Sequence, residues 1–158
     1  MRTLLLTLVI LAITARGLPA QINAPLAACA DGSLEAKIAA CTKAIEEKKL
    51  DPVIISIAYT NRGRWYVEKT QVDKAIADFS RAIAIDARAA PAFFHRAQLH
   101  AAAGRKEQAI ADFKKVLEMS PGDAATREGL KKLGVEPPAL PTPSGDGGGY
   151  GGNPLGLY

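Results

Sequence analysis

Two histidines, two cysteines and two arginine–aspartate pairs are the side chains of this chain whose types and spacing invite a chemical reading. His95 and His100 stand five residues apart. On a helix that separation turns about 140°, so the rings leave on different faces and do not form the paired ligands of a tetrahedral metal site. A small metal-binding protein or enzyme built on these two histidines and nearby acids is the alternative that the spacing argues against. Cys29 and Cys41 are twelve apart. If a helix begins near Ser33, Cys41 lies about 12 Å along its axis, a distance that the lead-in from Cys29 covers by running alongside. In an oxidising compartment that placement predicts a Cys29–Cys41 disulfide, with two free thiols as the alternative. Cys41 falls on a face expected to be buried, which suits a core or bridged residue better than a nucleophile. No strand followed by a glycine-rich phosphate loop is expected. No catalytic residue, metal or cofactor is therefore assigned.

The polar pairs have a different character. Arg62 and Asp78 are separated by sixteen residues, and so are Arg96 and Asp112. Each pair is predicted to meet across the turn of a helical hairpin, where it would set register more than stability. They recur because the chain repeats itself: Ala75-Ile76-Ala77-Asp78-Phe79 returns as Ala109-Ile110-Ala111-Asp112-Phe113, 34 residues later. The same shift carries Tyr59 onto Phe93, Gly63 onto Ala97, Tyr66 onto His100, Ala82 onto Val116 and Ile83 onto Leu117.

Apolar spacing places the helices. The first, capped by Ser33 and running to about Lys48, carries Leu34, Ile38, Cys41 and Ile45 on one face. Ile38, Cys41, Ala44 and Ile45 match Ile76, Phe79, Ala82 and Ile83 at an offset of 38, so this helix reads as a half-repeat. A first full repeat spans about 52–89, with helices to about Lys69 and from about Val72 to Ile85 joined at Thr70-Gln71. Its core is Ile55, Tyr59, Tyr66, Ala75, Ile76, Phe79, Ala82 and Ile83. A second repeat spans about 90–123, turning at Gly104 and ending at Pro121-Gly122. A last helix, 124–133, turns Leu130 and Leu133 inward and Arg127, Glu128, Lys131 and Lys132 to water. Residues 134–158, rich in Pro and then Gly, read as a disordered tail; Leu155-Gly156-Leu157-Tyr158 within it raises a docking motif as the alternative to solvated chain.

A unit of 34 residues, with small side chains where helices approach and large ones where they interlock, resembles the tetratricopeptide repeat. The resemblance covers residues 33–133 and implies an all-α solenoid of two full repeats, an N-terminal half-repeat helix and a C-terminal capping helix. It implies binding rather than catalysis, through the outward positions of each first helix. Those positions are Ile57, Thr60, Asn61, Arg64 and Glu68 in one repeat and Phe94, His95 and Gln98 in the next. The implied partner is a protein or extended peptide: Arg64 to hold a carboxylate, Asn61 and Gln98 to bond backbone amides, Phe94 to anchor an apolar group. Relatives that clamp a chaperone's terminal carboxylate need lysine and asparagine at fixed first-helix positions, where this chain has Thr60 and Arg64. Two repeats make a short groove, and stacking of the end helices would give a weak homodimer.

The chain of 158 residues carries 48% hydrophobic but only 6% aromatic residues, as an alanine-rich solenoid requires. Met1-Arg2-Thr3 followed by the apolar run Leu4 to Ile13 and by Arg16-Gly17-Leu18-Pro19-Ala20 reads as a secretory signal, with cleavage after Ala20 and a lead-in at 21–32. The run is too short to cross a bilayer as a helix, and no later segment qualifies. Removing 1–20 lowers the formal charge from +4 to +2, since Arg2 and Arg16 leave with it. Bases and acids are interleaved, which excludes the dense basic patch of a nucleic-acid binder. The expected location is the bacterial periplasm or outside the cell. Leu26-Ala27-Ala28-Cys29 also spells a lipobox, so a lipid-anchored outer-membrane assembly factor acylated at Cys29 is the alternative; residues 14–25 separate it from the apolar run.

Overall fold

Helix follows helix in this chain because each apolar stripe is short and alanine-rich and can be buried only against a neighbour. The computed structural model describes residues 26–47 and 50–141. Six helices with defined ends lie in that range: α1 (Leu34–Glu46), α2 (Pro52–Glu68), α3 (Val72–Ile85), α4 (Ala90–Ala102), α5 (Lys106–Met119) and α6 (Ala124–Lys132). The hairpins α2–α3 and α4–α5 are the most extensively packed pairs, with α1 on α2, α3 on α4 and α5 on α6 joining them in sequence. This is the all-α solenoid expected from the 34-residue period.

The ends are chemically marked. Ser33 Oγ accepts from the Ala36 N–H at α1, Asp51 Oδ1 from the Val53 N–H at α2, and Asp123 Oδ1 from the Thr126 N–H at α6. Pro52 opens α2 where its missing donor costs nothing. The turn of the second hairpin uses Gly104 at φ +72°, whereas the first places Thr70 in the same left-handed region at +57°. Thr70 is held there because the Gln71 N–H reaches back to the Tyr66 carbonyl at 2.8 Å, as Arg105 does to His100.

Small residues fix the hairpin spacing. A Cβ added to Gly63 would lie 2.6 Å from Phe79 Cε1, so only glycine lets α3 close on α2 here. Phe79, Ala75, Ala82, Ala89 and Ala92 form one buried cluster, with Tyr59, Tyr66, Ile83 and Leu99 packed around it. Ala97, Phe113, Leu117 and Leu130 form the next, and Cys29, Cys41, Ala44 and Ala58 the first.

The two arginines do what their spacing predicts, and more. Arg62 makes a bidentate pair with Asp78, both bonds 2.8 Å, and its third nitrogen donates to Thr42 Oγ1 on α1 at 2.9 Å. Arg96 repeats this with Asp112 at 2.8 Å and with Ser80 Oγ on α3 at 2.9 Å. Thr42 and Ser80 differ by the same 38 residues that relate Ile38 to Ile76, so α1 stands where a second helix of a preceding repeat would stand.

Two expectations change at the C-terminal end. Arg127, only half-buried, is nevertheless engaged: its guanidinium donates to the carbonyls of Pro121 and Pro138, at 3.3 and 2.9 Å. Residues 135–141 are accordingly not free tail. Val135 joins the last core cluster and Pro137 is buried, so a proline-stiffened segment with little entropy to lose covers the end of α6. The expected signal at 1–20, the rest of the lead-in before residue 26, and the tail from 142 lie outside the described residues.

Asp78 is only 8% exposed and neutralises a guanidinium that is 16% exposed. Asp78→Asn leaves that charge buried without a counterion, and we expect a loss of about 3 kcal/mol in urea unfolding. The double change Arg62→Leu with Asp78→Leu, which removes both charges, should recover most of it. Wild-type stability in Asp78→Asn would sink this account.

Candidate functional site

A groove of about 700 Å³ runs across α2 and α4 to α6. Six of the eight positions expected to line it do so: Ile57, Thr60, Asn61 and Arg64 from α2, Phe94 and His95 from α4. They converge because residues three and four apart share a helix face. Glu68, the last residue of α2, is exposed but lies outside the groove. Gln98 lines a neighbouring notch instead.

The chemistry of these positions differs from what residue type alone suggests. Thr60 is 7% exposed and its hydroxyl donates to the Ser56 carbonyl at 3.0 Å, so it offers the groove a methyl group rather than a donor. Ser56 is likewise occupied, donating to the Ala82 carbonyl at 3.0 Å and tying α2 to α3. Ile57 and Val53, 39% and 51% exposed, give the α2 wall an apolar rim. His95 is wedged between aromatic rings, stacked on Phe79 at 5.6 Å and edge-on to Phe94 at 5.6 Å. Phe94 in turn meets Phe113 at 5.9 Å.

Charge in the groove is uneven. Arg64 and Arg88 make no ion pair with a carboxylate among the described residues, although both line the groove. Asp86 and Asp123, the two acids on the same walls, each accept a backbone N–H: that of Arg88 at 2.9 Å and that of Thr126 at 2.7 Å. Asp123 also sits at the positive end of α6, which offsets its charge. Burial lowers the pKa of His95 below the usual 6.5; its contact with Gln98 opposes this and the Arg64 charge adds to it. His95 Nδ1 lies 3.3 Å from Gln98 Oε1, a contact that the neutral ring makes by donating.

His100, expected as a packed ring, is half-buried; its Nδ1 accepts from Arg105 Nε at 2.8 Å, and burial together with Arg105 lowers its pKa. The two histidines share no ligand set; among the described residues no group of three or more His, Cys, Asp or Glu gathers. Cys29 and Cys41 do come together, at the opposite end of the array, as fully buried free thiols. Cys41 Sγ approaches the Cys29 carbonyl at 4.0 Å, and the same carbonyl accepts from Trp65 Nε1 at 2.9 Å. The contact with Cys41, aided by Arg62, lowers the pKa of Cys29 against its burial, whereas Cys29 and burial push Cys41 up.

The lining that sequence reasoning missed comes from α5, from α6 and from the loops between repeats: Val116, Ala125, and Arg88, Ser120 and Asp123. The signal was present. Extending the 34-residue shift once more takes Ile57 to Pro91 to Ala125, Thr60 to Phe94 to Glu128 and Arg64 to Gln98 to Lys132. The last helix is therefore the first helix of a third, incomplete unit, and it contributes to the groove as well as capping the core.

Residues 57–88 and 90–123 each match a family model described as tetratricopeptide repeat. Among curated proteins, "Protein unc-45 homolog B" of Danio rerio is 29% identical over 106 residues, 66% of this chain and 11% of that protein. Its counterpart in Xenopus tropicalis is 33% identical over 93 residues, 59% of this chain and 10% of that protein. The chain thus spans about a tenth of the length of these relatives. Solved structures share the fold. The Arabidopsis OM64 TPR domain has a TM-score of 0.60 at 23% identity, covering 69% of this chain and 87% of that domain. The first TPR of Spaghetti (RPAP3), bound to the HSP90 peptide SRMEEVD, has 0.57 at 25%, covering 64% and 77%. The second TPR domain of human RPAP3, in complex with the HSP70 peptide SGPTIEEVD, has 0.59 at 23%, covering 71% and 90%.

The depressed histidines give the fold a pH dependence of known sign. Their stabilising effect is complete above pH 6.5 and is lost as pH falls through the lower folded-state values, because the unfolded chain takes up the protons first. We expect the urea midpoint to fall between pH 7.5 and 5.5, and His95→Phe with His100→Tyr to flatten that slope. An equally steep slope in the double variant would refute the assignment.

Proposed function

We propose, from the premise that residues 57–123 form a tetratricopeptide-repeat array, that this chain is a non-enzymatic scaffold that binds an extended segment of a partner protein in the α2–α4–α6 groove. The observation that carries the reading is the groove itself. It is apolar along Val53, Ile57 and Phe94, and it holds in Arg64 a guanidinium with no carboxylate partner among the described residues. An acidic side chain of the ligand supplies that partner through a bidentate bond. The fold neighbours that hold HSP90 and HSP70 peptides ending in EEVD support peptide capture by this architecture. With Thr60 buried and Arg64 at the next position, the acid is held here by arginine, Arg64 with Arg88 on the same walls, rather than by a lysine–asparagine clamp.

The setting is proposed to be the bacterial periplasm or the exterior, on the strength of the apolar N-terminal run and of the cysteine pair. Cys29 and Cys41 are neighbours and both fully buried, so oxidation to a disulfide would join the segment before α1 to α1 itself. Burial of Cys29, and the bond from Trp65 to its carbonyl, favour that fate over acylation. Weak self-association through the end helices is part of the same proposal.

Selection of a random twelve-residue display library on the full chain should enrich acidic peptides whose amide NMR shifts map to α2, α4 and α6. Arg64→Ala should weaken them at least fivefold. Enrichment of nothing, or of peptides that perturb only other faces, refutes the groove. Export in a Gram-negative host provides the second test: the mature mass should begin at Gln21 and gain two hydrogens on reduction. A mass beginning at an acylated Cys29 would instead make the protein a membrane-anchored scaffold, and an unchanged mass on reduction would remove the disulfide.

A further inference from the structure

Val53 and Ile57 leave a rim of exposed aliphatic carbon on the α2 wall of the groove. Arg88, in the loop between α3 and α4, lines the same groove and has no ion pair among the described residues. The described chain ends beside this opening. Arg127 Nη1 donates to the carbonyls of both Pro121 and Pro138, at 3.3 and 2.9 Å, so one nitrogen holds the two together. Pro121 follows Ser120 and precedes Asp123 by two positions, and both of these line the groove. Residue 141, the last one described before the C-terminus, is three positions beyond Pro138. The sequence that follows complements the opening. Between 142 and 158 the sole charged residue is Asp146, and Leu155 and Leu157 stand after a glycine-rich run.

We propose that the segment 142–158 folds back into the groove of its own chain, with the Asp146 carboxylate on Arg88 and Leu155 and Leu157 on the rim of Val53 and Ile57. The inference rests on the peptide-binding reading above and adds its regulation, since a partner must displace this segment to bind. The spacing along the chain allows that order. Arg88 and Gly122 are equivalent under the 34-residue shift, so Arg88 lies one unit, about 10 Å, from the place where Pro138 is held. The stretch from Pro138 to Asp146 reaches about 26 Å when extended, which leaves slack. Val53 maps onto Ala87, the neighbour of Arg88, so the rim lies about one further unit away. From Asp146 to Leu155 the chain reaches about 30 Å, again more than the distance to be crossed. Proximity supplies what the contacts lack. A glycine-rich chain of this length has a root-mean-square span of about 23 Å, which sets an effective concentration at the groove on the order of 1 mM. One ion pair and two aliphatic side chains bind too weakly to hold a free peptide, yet at that concentration they occupy the site much of the time. Only ligands that bind well below the millimolar range then gain the groove.

The test compares amide NMR spectra of the full chain with those of full-length Leu155→Ser/Leu157→Ser and Asp146→Asn. The first variant should move the amides of Val53 and Ile57, the second that of Arg88, and the differences should persist on twentyfold dilution. Ile57→Ser, a change at a position 39% exposed, should in turn move the amides of Leu155 and Leu157. The acidic dodecapeptide most enriched in the selection described above should bind Leu155→Ser/Leu157→Ser at least threefold tighter than wild type. Unchanged groove amides in both variants, with equal affinity for that dodecapeptide, overturn the folded-back segment and leave the peptide reading standing. Differences that vanish on dilution also overturn it, because they put the segment in the groove of a second copy. If neither the variants nor any selected peptide moves the groove amides, both readings fall.

Discussion

One arginine per unit holds three helices together. Arg62 clamps Asp78 across its own hairpin and, with its remaining nitrogen, reaches Thr42 on the helix before it; Arg96 does the same with Asp112 and Ser80. A planar guanidinium is suited to this, because its donors are fixed at angles that satisfy a carboxylate on one side and a hydroxyl on another. The bonds are sparse in stabilising terms, since burying a charged pair costs much of what it returns. Their effect is on register. A hairpin built from alanine-rich faces has few large side chains to interlock, and beyond the fit of Phe79 against Gly63 little in it resists a one-turn slip. Such a slip would not keep both arginine bonds.

The same device marks where the array stops. One period beyond Arg62 and Arg96 stands Leu130, fully buried, and one period beyond Ser80 stands the exposed Lys114. Among the described residues no helix follows α6 to carry an aspartate; an arginine there would be a buried charge without that partner, whereas leucine completes the core on Phe113 and Leu117. Val135 and Pro137 then cover what a further helix would have covered. At the other end Cys41 replaces the phenylalanine of later units, and the smaller side chain leaves room for Cys29 and the segment around it.

Much of this was legible in the sequence because it repeats. The period gave the hairpins, the spacing of sixteen gave both ion pairs, and the offset of 38 identified α1 as half of a unit. Six groove positions followed from the resemblance. What was hidden had a physical cause in each case. Glu68 was assigned by helix face alone, but α2 ends there, before the groove wall continues. Thr60 has a polar formula whose donor is satisfied within its own helix, so residue type misreports what it offers. The groove role of α6 was obscured because Ala125, Glu128, Gly129 and Lys132 bear no likeness to the residues they replace; equivalence of position survives where equivalence of chemistry does not. Arg127 is partly solvated as its charge suggests, and the carbonyls of Pro121 and Pro138, which its residue type does not announce, take its donors.

That divergence along the groove is what allows a common scaffold to be selective. Core positions of the two full units stay apolar and small or large in the same places, because each packs against its neighbour's copy: Phe79 and Phe113 are identical, as are the fully buried Ala75 and Ala109. Positions along the groove change at every step: Thr60, Phe94, Glu128; Asn61, His95, Gly129; Arg64, Gln98, Lys132. A single conserved row would recognise a repeating polymer. A row that runs from Arg64, unpaired among the described residues, past an aromatic-wedged histidine to Gly129 against Phe113 presents different chemistry at its two ends, and under the proposed peptide-binding reading that difference would favour one direction of a bound strand.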